Sequence, residues 1–147
     1  MDRATATARI LAAKNAKGLS FEQIADAVGR HEVWVTSAIY GQAQMDAKEA
    51  GRLVELLGVD AEVAEALQEF PMKGALDAPV PTDPLIYRLH EITQVYGTTI
   101  KALIHEKFGD GIMSAIDFHM DIQRIADPKG DRVQITYNGK FLPYRKW

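Results

Sequence analysis

Cysteine is missing from all 147 residues. Its absence excludes disulfides, thiolate nucleophiles and cysteine-based metal sites together, and it suits a reducing cytosol. Long apolar runs are missing too. None approaches the roughly 18 residues of a membrane span, so no membrane association is expected. Histidine is sparse: His31, His90, His105 and His119 are scattered, with no HxH or HExxH spacing, and no metal site is expected. The opening stretch MDRATATARILAAKNAKG is basic and rich in Ala and Thr, as transit peptides are, but it has no secretory h-region or cleavage site. Its apolar positions fit an ordinary first helix, and a cytoplasmic protein is expected.

What is present is an ordinary globular composition. Hydrophobic residues make up 47%, enough for a real core, and the length fits one domain or two small ones. The net charge of −3 is unevenly spread. Residues 1–70 carry 7 Lys/Arg against 11 Asp/Glu, whereas residues 71–147 carry 10 against 9.

The periodicity is uneven as well. Residues 1–70 read as five short helices. The first spans about 3–16 and stops at Gly18, a natural left-handed cap. Ser20-Phe-Glu-Gln23 is a capping box that opens a second helix, ended by Gly29. A third lies near 31–40, before Gly41. Asp46-Ala-Lys-Glu49 is another capping box, with Leu53, Leu56 and Leu57 before Gly58; Asp60 caps a last helix closed by Pro71. Trp34 and Trp147 are expected to pack.

Residues 71–83, PMKGALDAPVPTD, hold three prolines and read as an extended linker between a helical bundle over 1–75 and a second domain over 76–147. Thr82 or Asp83 caps the next helix, with Pro84 at its first position. That helix is expected to end at Gly97, and another to start at Thr98 or Thr99 and stop at Gly109. After Gly111 the period changes to 2: Ile116, Phe118, Met120 and Ile122 alternate with Asp117, His119, Asp121 and Gln123. Asp127-Pro-Lys-Gly130 is a turn. Val133, Ile135 and Tyr137 alternate again, and Asn138-Gly139 predicts a hairpin before Lys140-Phe141-Leu142. The fold class is α+β. Three strands and two helices over about 65 residues make a thin core, so this half is expected to complete itself with a partner subunit as an obligate oligomer.

Residues 19–41, LSFEQIADAVGRHEVWVTSAIYG, resemble a repressor-type helix-turn-helix, which makes a DNA-binding regulator the main competing reading. Duplex affinity needs Lys and Arg against phosphates. The second helix offers Arg30 and His31 at its start, then no lysine or arginine from Val33 to Tyr40, in a half with excess negative charge. Packing and assembly are the expected role, with no nucleic acid partner.

The segment from Pro81 to Phe118, PTDPLIYRLHEITQVYGTTIKALIHEKFGDGIMSAIDF, closely resembles the signature region of cyanases (cyanate hydratases). The acidic bundle before it and the tail ending GKFLPYRKW are similar to that family too. The resemblance implies a lyase in which cyanate and bicarbonate combine and lose carbon dioxide to give carbamate, which falls apart to ammonia and a second carbon dioxide. It implies a ring-shaped homodecamer of five intertwined dimers, active sites at subunit interfaces, and no metal or organic cofactor. The family's catalytic arginine, glutamate and serine fall on Arg88 and Glu91 in YRLHE and on Ser114 in GDGIMSAI.

These residue types suit that chemistry. Two unit charges about 4 Å apart repel by roughly 1 kcal/mol in water and about 4 at an effective dielectric of 20, so joining two anions needs a permanent cation and hydrogen-bond donors. Arg88 supplies a charged planar fork, and Ser114 a hydroxyl that can donate to a developing oxyanion. Gly109 and Gly111 are expected to let backbone approach an anion. Glu91, three residues after Arg88 on the same helix face, either orients the arginine or relays a proton, and the residues alone leave both roles open. Without the resemblance, Arg88 and Glu91 would be an ordinary surface ion pair, and Ser114, with no GxSxG around it, an ordinary strand serine. A non-catalytic oligomeric module is the third reading.

Overall fold

The computed structural model describes residues 1–71, 74 and 79–147, so most of the linker expected over 71–83 lies outside the described residues. The chain divides into two compact units, Met1–Ala75 and Leu76–Trp147.

The first unit is all helical: α1 (Arg3–Lys17), α2 (Phe21–Val28), α3 (Glu32–Ile39), α4 (Ala47–Leu57) and α5 (Ala61–Gln68). Local signals set these boundaries. Gly18, Gly29 and Gly58 end their helices in the left-handed conformation. Both expected capping boxes form with their two reciprocal bonds, Ser20 with Gln23 and Asp46 with Glu49. Asp60 behaves differently from expectation. It sits at the start of α5 but caps nothing, because its carboxylate is held 2.7 Å from Arg9 Nη1. The apolar faces of the five helices meet in one core that includes Ile10, Ile24, Val35, Ile39, Leu53, Leu57 and Leu67, all buried. Each such side chain contributes roughly 1.5–3 kcal/mol on burial, so this unit has a core of its own. Trp34 packs partly buried against it.

The second unit is built differently: α6 (Pro84–Phe108), then β1 (Gly111–Ile125) paired antiparallel with β2 (Arg132–Pro143). Two expected breaks do not occur. α6 runs unbroken through Gly97, whose φ stays in the ordinary helical range. An interior glycine costs a helix only about 1 kcal/mol relative to alanine, and with no proline behind it that is too little to stop one. Asn138-Gly139 is not a turn either. Both residues lie within β2, opposite His119 and Phe118, so the described residues hold two strands where three were expected. The chain reverses once, at Asp127–Gly130, where Lys129 N–H donates to Asp127 Oδ1 at 2.9 Å.

The ribbon has one apolar face, on which Phe118, Met120 and Ile122 lie opposite Gly139, Tyr137 and Ile135. Little covers it. Among the described residues of this unit only Gly111 and Ser114 are buried, and Ile116 and Trp147 are fully exposed in the single chain. A lone two-stranded ribbon is at best marginally stable in water.

Candidate active site

Asp83 fixes the start of α6, accepting from Leu85 N–H at 3.0 Å and Ile86 N–H at 2.9 Å, with Pro84 in the first turn. One turn on, Arg88 Nη1 donates to Glu91 Oε2 at 2.8 Å, as an i,i+3 pair on one helix face. The side chains are 66% and 37% exposed. Among the described residues this is Arg88's one hydrogen bond, so four of its five N–H groups remain for a ligand. The carboxylate that would repel an anion is therefore already turned onto the cation.

Ser114 lies in an interruption of the β ladder. Met113 pairs with Phe141 and Phe118 with Gly139, so four residues, Ser114 to Asp117, bulge out opposite the single Lys140. The serine hydroxyl ties the bulge together: Ile116 N–H and Asp117 N–H both donate to Ser114 Oγ, at 3.0 and 2.9 Å. A hydroxyl has two acceptor lone pairs and one proton. With both acceptor positions filled, Ser114 is left to donate. It is 5% exposed, which holds that direction in a dry setting.

Gly109 and Gly111 do not play the same part. Gly109 closes α6 at positive φ with open space around it. Gly111 is closed off by β2: a Cβ there would overlap Leu142 O and lie 2.6 Å from Phe141 Cζ. Its missing side chain lets β2 pack closely against it.

Within one chain the three residues form two groups. Arg88 and Glu91 are together. Ser114 follows the far end of α6, and at ~1.5 Å per residue the helix runs about 30 Å from Arg88 to Phe108. No hydrogen bond among the described residues joins Ser114 to the pair. Nearby, a recess of about 370 Å³ between α6 and the start of β1 is walled by Gly97, Ile100, Ile104, Ile112, Met113 and Tyr144, and none of the three lines it.

On the helix-turn-helix face of the first unit, Arg30 is engaged. Its Nε donates to the buried Glu49 Oε1 at 2.5 Å, and its guanidinium lies 5.6 Å from the Trp34 ring centre. The hydrogen bond to the Glu49 carboxylate raises the Arg30 pKa, while the arginine side chain stays 58% exposed.

Comparison with known proteins accounts for both units. Residues 3–71 match the family "Cyanate hydratase, N-terminal", and residues 78–146 match the "Cyanate lyase C-terminal domain". The chain belongs to the cyanate hydratase family. Members of this lyase family include the cyanate hydratase of Synechococcus sp. (strain CC9311), 59% identical across 97% of this chain and 95% of that one. That of Variovorax paradoxus (strain S110) is 54% identical over the full length of both. The crystal structure of cyanase from T. urticae superimposes with a TM-score of 0.84 at 40% identity, covering 94% of this chain and 96% of that one. The α+β architecture, with its N-terminal helical domain, is thus the family's.

Proposed function

We propose that the protein is a cyanate hydratase that decomposes cyanate in a bicarbonate-dependent reaction, with Arg88, Glu91 and Ser114 as its catalytic residues. Bicarbonate and cyanate join, carbon dioxide leaves, and the carbamate that remains breaks down to ammonia and a second carbon dioxide. For charge and atoms to balance, the reaction takes up two protons overall. Arg88 meets the combined negative charge with the N–H groups that Glu91 leaves uncommitted. Ser114 donates its proton to an oxygen on which charge builds, a task for which its filled acceptor positions suit it. Glu91 holds the guanidinium in place. None of these steps calls on a metal or organic cofactor.

The observation that carries this reading is the pairing of a half-open Arg88–Glu91 couple with a buried, donor-only Ser114, in a chain of this family. In one chain the two groups are unconnected, so the site is completed between copies. The same association covers the apolar ribbon face and the exposed face of α6, where Leu85, Ile92, Val95 and Tyr96 have no cover in the single chain. A homo-oligomer follows, a decamer of five intertwined dimers by the family's pattern.

We take its setting to be cytoplasmic. No helix among the described residues is long and apolar enough to cross a membrane. The competing reading, a DNA regulator, lacks support: α3 carries no Lys or Arg and Arg30 is bound to Glu49. The test is ammonia release from cyanate with and without added bicarbonate. Release that requires bicarbonate supports the proposal, and a folded protein that releases none refutes it.

A further inference from the structure

Gly139 reads in sequence as half of a turn, yet it sits mid-strand, directly beneath the bulge that carries Ser114. A Cβ at this position would overlap Ser114 O and lie 2.6 Å from Met113 Cγ and 3.3 Å from Met113 Sδ. Glycine inside a strand marks such a close backbone approach. Relieving an overlap with a backbone oxygen means moving the peptide, and the peptide in question belongs to Ser114. The bulge has little slack of its own, because Ser114 Oγ is pinned by the N–H groups of Ile116 and Asp117. A displacement of Ser114 O therefore carries the hydroxyl with it. The remainder of the bulge gives no other reason for the approach, since the Ile116 side chain is fully exposed and packs on nothing among the described residues.

We propose that Gly139 is a positioning residue for the reaction: its missing Cβ lets the 114–117 bulge lie across β2 and so sets where the Ser114 proton points. This rests on Ser114 being a catalytic donor. Gly139 touches no substrate and acts through Ser114 alone.

The experiment is a double-mutant cycle on the assembled enzyme, with kcat and KM measured for Gly139→Ala, Ser114→Ala and the two combined, and assembly checked by light scattering. Losing one oxyanion donor lowers kcat by about 10²–10³-fold, and misplacing a group by about 1 Å costs about 10²-fold. Gly139→Ala should thus lower kcat about 100-fold with KM little changed. The combined variant should be no slower than Ser114→Ala. Independent, multiplying losses in the combined variant would make the glycine merely structural and overturn the proposal, as would a Gly139→Ala enzyme within about twofold of the parent, a change too small for a displaced donor. If Ser114→Ala keeps full kcat, the catalytic assignment of Ser114 is what fails, and Gly139 falls with it. Should Gly139→Ala not assemble, Met113→Ala/Gly139→Ala removes the side-chain overlap and keeps the backbone one. Failure of that variant to assemble as well assigns the close approach to folding and refutes the positioning role.

Discussion

Arg3 joins three separate segments of the helical unit. From the first turn of α1 its guanidinium reaches three carbonyls on other segments: Nη1 donates to Ala66 O at 2.5 Å, and Nη2 to Ala38 O at 2.9 Å and Ala43 O at 2.6 Å. Ala66 and Ala38 lie in the last turns of α5 and α3, beyond the helical ladder, where each carbonyl also accepts from a turn N–H, that of Glu69 at 3.4 Å and that of Gly41 at 3.0 Å. One cation at two helix C-termini also meets the negative ends of both dipoles. Burial lowers the Arg3 pKa, and Glu69 opposes that shift. The cation is thus held against a desolvation penalty by the carbonyls it bonds. Hydrogen bonds to charged groups contribute about 1.5–3 kcal/mol each, and partial access of water to the site reduces that to about 1. Arg3→Ala should then cost about 3 kcal/mol, a large share of the ~5–15 kcal/mol typical of a domain. Lysine, with its three donors on one nitrogen, cannot span three segments, so Arg3→Lys should recover only about a third of the loss. Urea titration followed by Trp34 fluorescence at fixed protein concentration measures both. With m near 1–3 kcal/mol/M, the Arg3→Ala midpoint should fall by about 1–3 M. A fall of less than about 0.3 M, or full restoration by lysine, would refute the argument, because it would mean the three carbonyls are as well served by water or by a point charge.

Three further perturbations test other parts of the molecule. If Glu91 orients Arg88, Glu91→Gln keeps an acceptor and should lose about tenfold in kcat/KM, while Glu91→Ala should lose about 100-fold; equal losses in steady-state assays would reassign Glu91 to proton transfer. On the ribbon, Ile122→Asp places a charge on the apolar face and should abolish assembly in light scattering, whereas Gln123→Asp on the opposite face should not. Assembly unchanged in both would show that the apolar face is not an interface. Asp2 accepts from Thr5 N–H at 2.7 Å, and that bond to the backbone lowers its pKa. Its capping contribution should be complete above the ordinary carboxylate range and be lost as pH falls below it. Asp2→Asn, which still accepts but does not titrate, should show a smaller loss of Tm between neutral and acid pH than the parent.

The helical unit was largely legible because its signals are local. A capping box or a left-handed glycine acts within one turn, and Gly18, Ser20, Gly29, Asp46 and Gly58 all did as read. Asp60 failed because a longer-range partner, Arg9, competed for its carboxylate. In the second unit two glycines misled, for different reasons. Gly97 looked like a helix stop, but an interior glycine costs too little to end one; Gly139 looked like a turn, but its role is decided by the atom that comes close to it. For Gly139 that atom is an oxygen 25 positions earlier in the chain, and no spacing rule points to it. The 114–117 bulge was hidden because Ile116 and Asp117 at its end continue the alternation of the strand that follows. Arg88, Glu91 and Ser114 were found through the family's signature, since neither an i,i+3 ion pair nor a lone strand serine stands out by itself.

The incompleteness of the second unit and the demands of the chemistry point the same way. An Arg88–Glu91 couple as exposed as it is in the single chain acts close to the dielectric of water, where a cation offsets only about 1 kcal/mol of repulsion between two anions at 4 Å. Enclosure multiplies that several-fold, and it also gives the donor-only Ser114 an oxygen to serve. Among the described residues of the second unit, the apolar surface is spread along α6 and one face of a two-stranded ribbon. In the proposed assembly, covering that surface with another copy would remove water from the arginine and stabilise the ribbon in one event. On that proposal, the exposed apolar residues that call for a partner would also make an anion-joining site attainable.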